Sequence, residues 1–249
     1  MKWSVYFNQV LRKENQILWL MLAIHAGYLN AGGFMACQRF VSHMTGFGTQ
    51  VGISLGHNEY FQAFEMALMP VVFILGAATA GWMMDRKLVN NKRPRVIRGM
   101  GWIVLLDFVI WAGSVNDQFA VFGEPVLNHR DYAFLFLLAF NCGLQNGLFV
   151  TITSGQIRTT HITGLSTDIG LHAVKILSMD KNAPEREELK QKNYLRVKTV
   201  TAFSLGSLVS AIIFQHYGYW GFSVSFFFSL VILLYLKYLV SRIFVPVNP

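Results

Sequence analysis

Two short polar stretches of an otherwise apolar chain carry the same residues at the same spacing. His43, Thr45, Gly46, Thr49 and Gly52 recur as His161, Thr163, Gly164, Thr167 and Gly170, so H-x-T-G-x-x-T-x-x-G is written twice. Gln38 and Gln156 align upstream, and each copy follows a G-x-x-N element, Gly27 to Asn30 and Gly143 to Asn146. A threonine at the head of a helix is a good N-cap, its hydroxyl accepting from a backbone N–H two or three residues on. Thr45 and Thr163 are placed to be such caps. Gly46 and Gly164 then let backbone or ligand approach closely. The first turn of a helix offers unpaired N–H groups and a partial positive charge, which suit an anion or a carboxylate. His43 and His161 add a ring that donates or titrates near neutral pH, and Arg39 and Arg158 stand just upstream.

The candidate solute site is therefore Asn30, His43, Thr45, Gly46, Gln50, Gln145, Asn146, His161, Thr163, Gly164 and Asp168. Gln50 and Asp168 occupy the same position of the two copies, so one copy alone carries a carboxylate there. Asp168 and His172 are four apart, on one helical face. Asp107 sits in the middle of an apolar run, where a carboxylate costs several kcal/mol unless paired or hydrated. Asp107, Asp168 and His172 are the candidates for proton coupling. Glu65, one turn into an apolar run, reads as exposed at the interface, and His25 lies late in the first run. The structural alternative is that threonine caps, glycine packs, and histidine and asparagine satisfy the backbone of broken helices.

The elements that must position these residues are membrane helices. The chain has 249 residues, 53% hydrophobic and only 14% charged, where soluble domains carry roughly 25% charge. Its mean hydropathy is +0.41. Apolar runs fall at 17–36, 61–84, 99–115, 132–153, 199–217 and 219–244, six candidate spans of the length a bilayer requires. Residues 1–16 place Trp3, Tyr6, Phe7, Val10 and Leu11 on one helical face, as in a helix lying on the membrane. The net charge of +8 suits a cytoplasmic basic face better than nucleic acid, and no nucleic-acid partner is expected. Cys37 and Cys142 have no metal-ligand spacing; no metal and no cofactor is expected.

Six spans with an inside N-terminus put both basic segments, 85–98 and 175–198, in the cytoplasm. Of 21 Lys and Arg, only Arg39 and Arg130 then lie outside. The segments 44–57 and 163–177 are too short to cross: helices of that length reach roughly 20 Å against a core of roughly 30 Å. They read as half-helices or re-entrant elements. The expected architecture is all-α, with an interfacial helix at 1–16, a first three-span repeat at 17–115, an external loop at 116–131, and a second repeat at 132–244. The second repeat contains a cytoplasmic linker at 178–198, and a tail follows at 245–249. The two copies of the motif follow spans of opposite direction, which makes a 3+3 inverted-topology repeat with a site near the midplane. Gly76 to Gly81 offers small residues for close helix packing, or for contact in a homodimer.

At Gly27-Tyr28-Leu29-Asn30-Ala31 with Met44-Thr45-Gly46, and at Gly143-Leu144-Gln145-Asn146-Gly147 with His161-Ile162-Thr163-Gly164, the sequence resembles the YoaK-like family of bacterial membrane proteins of unknown function. The family usually carries Asp where Asn30 stands, and Asn where this chain has Phe47. The resemblance implies a six-span bacterial inner-membrane protein and no particular substrate; the cytoplasmic placement of both termini is the expectation from the basic segments.

No catalytic pattern is present: the histidines lack HExxH spacing, Ser154-Gly155 is no nucleophile elbow, and the Rossmann and P-loop fingerprints are missing. The expectation is a transporter or channel, not an enzyme, for a small anionic or zwitterionic solute, with the bilayer as its other partner. A membrane-embedded enzyme would instead use His161 and Asp168 as acid and base. A non-transporting scaffold or sensor would have a dry, packed interior at the motif.

Overall fold

The structure is a computed structural model and describes residues 11–89, 95–116, 119, 121–125, 129–153 and 162–243. Among these the regular structure is entirely helical: α1 (Lys13–Cys37), α2 (Met44–Gly56), α3 (Tyr60–Val89), α4 (Val96–Val115), α5 (His129–Ile152), α6 (Ile162–Ser178), α7 (Pro184–Tyr217), a 3-10 turn (Gly218–Gly221) and α8 (Phe222–Ile243). Five stretches are long and apolar enough to cross a membrane: Lys13–Cys37, Tyr60–Met84, Val96–Val115, Arg130–Thr151 and Pro184–Arg242. The last runs to 59 residues and contains both α7 and α8. These are the dimensions of a multi-pass helical membrane protein. The expected interfacial helix at 1–16 lies mostly outside the described residues, and Lys13 to Gln16 already belong to α1. Pro184 opens α7 at a position where its missing N–H costs nothing, with Glu185 and Glu187 in the first turn.

Side-chain contacts fix the helix directions. Ser207 Oγ donates to the Gly27 carbonyl at 3.1 Å and Ser210 Oγ to the Tyr28 carbonyl at 2.8 Å, so α1 and α7 run parallel. Tyr28 Oη donates to the Gly221 carbonyl at 2.7 Å, and Tyr235 Oη to the Glu14 carbonyl at 3.1 Å, so α8 runs back along α1. α7 and α8 are thus a hairpin turned at Gly218–Gly221, and the start of α1 and the end of α8 share one side of the bundle.

Glycine sets the closest helix approaches. A Cβ on Gly27 would collide with the backbone carbonyl of Phe203, and one on Gly206 with that of Ile24. The same reciprocal contact joins α3 to α5: Gly76 meets the Phe140 carbonyl and Gly143 meets that of Phe73. Small residues let membrane helices reach this separation. The pairing is therefore first helix on seventh and third on fifth, with α4 against α8. Both G-x-x-N glycines are crossing points.

Two apolar clusters occupy the two ends of the bundle. One includes Leu18, Trp19, Leu22, Met84, Met100 and Leu148. The other includes Tyr28, Cys37, Met66, Leu138, Phe214 and Phe222.

Candidate functional site

Asn30 sits on α1 seven residues before its end, about 10 Å along the axis at 1.5 Å per residue. Its Oδ1 accepts from the backbone N–H of Val41 and of Ser42 at 3.1 Å each, and from Ser42 Oγ at 3.0 Å. The chain after α1 therefore doubles back beside it before α2 begins. α1 itself stops at Gln38, which takes a left-handed conformation and donates its N–H to the Phe34 carbonyl. This is why α2 starts well below the end of α1.

The head of α2 is His43, whose side chain makes no capping hydrogen bond. Thr45 is the second helical residue and not the N-cap, and Thr163 is likewise second in α6, which begins at Ile162. A Cβ on Gly46 would lie 2.6 Å from His43 Nδ1, so the missing side chain makes room for the His43 ring over the first turn of α2. Phe40 packs edge-on against that ring, centroids 6.1 Å apart.

The two helix heads open into one cavity of about 540 Å3, which Asn30, Ser42, His43, Thr45, Thr163, Gly164 and Ser204 line together with Phe40, Met44, Phe73, Ile162 and Phe203. Its size is in the range of small-molecule sites. Phe73 and Phe203 are the residues whose carbonyls meet Gly143 and Gly27, so the glycine crossings also place the aromatic walls of the cavity. The polar lining consists of hydroxyls, one amide and one imidazole. Among the described lining residues there is no carboxylate, lysine or arginine. A Cβ on Gly164 would meet nothing within 4 Å. A second pocket of about 210 Å3 holds Gln38, Arg39 and Gln50, and His43 and Phe40 line both spaces.

Of the candidate residues, Asn30, His43, Thr45, Thr163 and Gly164 meet at the cavity. Gly46 and Gln50 line the smaller pocket, where Gln50 Nε2 reaches Ser54 Oγ at 3.5 Å. Asn146 is buried on α5. His161 lies outside the described residues. Asp168 is not among the residues that line the cavity: its carboxylate is 3.6 Å from Arg196 Nε and its side chain is about half exposed, at 49%. His172 does not meet that carboxylate; its Nδ1 lies 2.7 Å from the Asp168 backbone carbonyl. Glu65 is buried against Tyr132, not exposed.

Gln145 belongs to a different assembly. Its Oε1 is 2.7 Å from His25 Nδ1, and its Nε2 donates to the Leu22 carbonyl at 3.1 Å. His25 Nε2 in turn lies 3.0 Å from Asp107 Oδ2 and 3.1 Å from Ser225 Oγ. Asn141 Nδ2 donates to Asp107 Oδ1 at 2.7 Å. All five side chains are buried. This network lies between the two apolar clusters and joins α1, α4, α5 and α8. Asp107 was legible as a costly intramembrane carboxylate; Asn141 and Ser225 were not singled out, because nothing in their own neighbourhoods marks them.

No curated protein and no solved structure matches the chain. A family model does, over residues 18–235, and its description is "Protein of unknown function (DUF1275)". The match takes in every helix from α1 into α8, both G-x-x-N elements and both motif copies, and agrees with the YoaK-like resemblance of those residues. The chain belongs to this family of proteins of unknown function.

Proposed function

We propose that the protein is a transporter or channel of the bacterial inner membrane that carries a small anionic or zwitterionic solute through the cavity between α2 and α6. The observation that carries this reading is the shared cavity: the heads of two short helices, which are copies of one motif, line the same space. Two helix N-termini, each worth about half a positive charge, offer an anion or a carboxylate a place that requires no lysine or arginine. The hydroxyls and the His43 ring supply donors for the rest of the solute. A scaffold would pack this space, and a cavity of about 540 Å3 stands there instead.

The pairing of helices supports an inverted 3+3 repeat. Exchange of α1 with α5, α2 with α6, α3 with α7 and α4 with α8 turns the α1–α7 contact into the α5–α3 contact, and Gly27 on Phe203 into Gly143 on Phe73. The chain then crosses six times, with α2 and α6, of 13 and 17 residues, as half-helices. With the start of α1 and the end of α8 on one side, the positive-inside rule makes that side cytoplasmic. Rocking of one half against the other would expose the cavity alternately.

The test is chemical block of solute flux. In proteoliposomes, a thiol reagent applied to a Thr163→Cys variant should stop uptake that it does not stop in the wild type, whose Cys37 and Cys142 are buried. Uptake that survives full modification of that cysteine would overturn the assignment.

A further inference from the structure

In the apolar runs 17–36, 61–84, 99–115, 132–153, 199–217 and 219–244 the Asp, Glu, Lys, Arg and His residues are His25, Glu65, Asp107, His216, Lys237 and Arg242, and of these His25 and Asp107 alone lie at least eight residues from both ends of their run. The fold brings these two together at 3.0 Å, and neither side chain has any exposed surface. Ionisable groups at such depth mark ion and proton pathways more often than stability, because burial costs them several kcal/mol.

The surrounding hydrogen bonds fix how many protons the pair holds. Donation from Gln145 Nε2 to the Leu22 carbonyl turns Oε1 toward His25 Nδ1. An amide oxygen only accepts, so Nδ1 carries a hydrogen. Nε2 faces Asp107 Oδ2. A carboxylate against an unprotonated Nε2 would oppose two lone pairs, so one proton lies between Nε2 and Oδ2. The group is then neutral overall, whether written as imidazolium with carboxylate or as imidazole with carboxylic acid. Without that proton it holds one negative charge in an enclosed, apolar place.

We propose that His25 and Asp107 bind and release the proton coupled to solute movement, and that the arrangement described here is the proton-loaded one. The word coupled rests on the transport reading above; proton binding itself does not. On release, the Nε2–H bond breaks, its electron pair stays on nitrogen, and the proton passes to water admitted when the helices part. Nδ1–H stays on Gln145, the carboxylate keeps its bond from Asn141, and the bared Nε2 gains the Ser225 hydroxyl as a donor. Rebinding reverses each step.

The division of parts suits coupling. α1 and α4, from the first half, supply the titrating pair; α5 and α8, from the second, supply the neutral partners Gln145, Asn141 and Ser225. Movement of one half against the other changes how well the loaded and unloaded forms are held, and a ligand shifts an equilibrium by that difference. The other titratable group that feels Asp107 is the Cys142 thiol on α5. α8 presents Ser225 and the Phe228 ring, and the facing length of α7, 199–215, has no ionisable side chain. Among the described residues, the network's other members Gln145, Asn141 and Ser225 are neutral and do not offset the loss of the proton.

The test is nuclear magnetic resonance of the full-length protein labelled with 15N-histidine, in lipid nanodiscs, from mildly acid to strongly alkaline pH. His25→Gln assigns the signal. The expected result is one titration step at Nε2 of His25 that moves toward acid in Asp107→Asn. An Nε2 signal of His25 that stays constant across that pH range in the wild type would overturn the proposal. Pyranine-loaded proteoliposomes then test coupling, with the best ligand of a thermal-shift screen as probe. Asp107→Asn, and His25→Gln/Asp107→Asn with its two amides able to bond each other, should lose proton-driven uptake by about tenfold or more. Undiminished uptake in both variants would overturn coupling through this pair. A clear Nε2 step with no solute that moves protons would leave the proton site standing and remove the transport reading.

Discussion

Thr45 and Thr163, each the second residue of a short helix, line the same cavity although they stand 118 positions apart in the sequence. The relation follows from three local causes. Asn30 pins the segment before α2 against α1, glycine lets α1 reach α7 and α3 reach α5, and those crossings set Phe203 and Phe73 as walls between the two helix heads.

The crossings give the first prediction. Gly27→Ala and Gly143→Ala each drive a methyl group into a backbone carbonyl of the facing helix, which cannot swing aside as a side chain could. Each should cost about 1–3 kcal/mol or more of stability. Thermal unfolding in detergent should show both variants melting below the wild type. Either one melting at the wild-type temperature would contradict the crossing.

Asn30 acts through Oδ1 as an acceptor of three hydrogen bonds. Asn30→Ala leaves two backbone N–H groups and a hydroxyl without that partner, a loss of about 1–3 kcal/mol. Asn30→Asp keeps an acceptor in place and should retain most of the stability, in keeping with the aspartate usual in the resembling family. Equal losses in the two variants, read by the same melting assay, would mean that Oδ1 is not the atom that matters.

Gly164 has open space where a side chain would go. Gly164→Ala should therefore fold well, with a gain of about 0.5–1 kcal/mol from helix propensity, while the added methyl intrudes on the cavity and weakens solute binding. Unchanged affinity beside a raised melting temperature would show that the solute does not approach the head of α6.

Asp168, itself about half exposed, makes a long contact of 3.6 Å with the partly buried Arg196. Pairs of this kind contribute about 0–1 kcal/mol. Asp168→Asn should leave both the melting temperature and the solute affinity close to wild type, since the residue does not line the cavity. A loss of affinity without a loss of stability would bring Asp168 back into the site.

The span-forming runs, the two short helices and the matched motifs were legible because each is written in local sequence, as length, hydropathy or spacing. The orientation of each helix about its own axis was not. Gln145 and Asn146 are neighbours in sequence, yet with 3.6 residues per turn they face different elements: Gln145 turns to His25 on α1, away from the cavity. Asp168 and Gln50 share a motif position but meet different surroundings, Arg196 in one case and Ser54 in the other. Thr45 was misplaced as a cap because residue type favours threonine there, whereas α2 is headed by His43, just past the segment that Asn30 holds. The partnership of His25 with Asp107 joins residues far apart in sequence and depends on four helices packing together, which no local pattern encodes.

The most direct test of the account is a thermal-shift screen of the purified protein against carboxylates, inorganic anions, amino acids, amines and nucleobases, run beside Thr45→Val and Thr163→Val. A ligand that binds only the folded state raises its apparent stability by mass action. The account predicts that an anionic or zwitterionic solute raises the wild-type melting temperature and that each variant, folded and stable, loses most of that rise. A solute whose shift survives in either variant, or a wild type that no member of the panel stabilises, would contradict the claim that the two helix heads form one solute site.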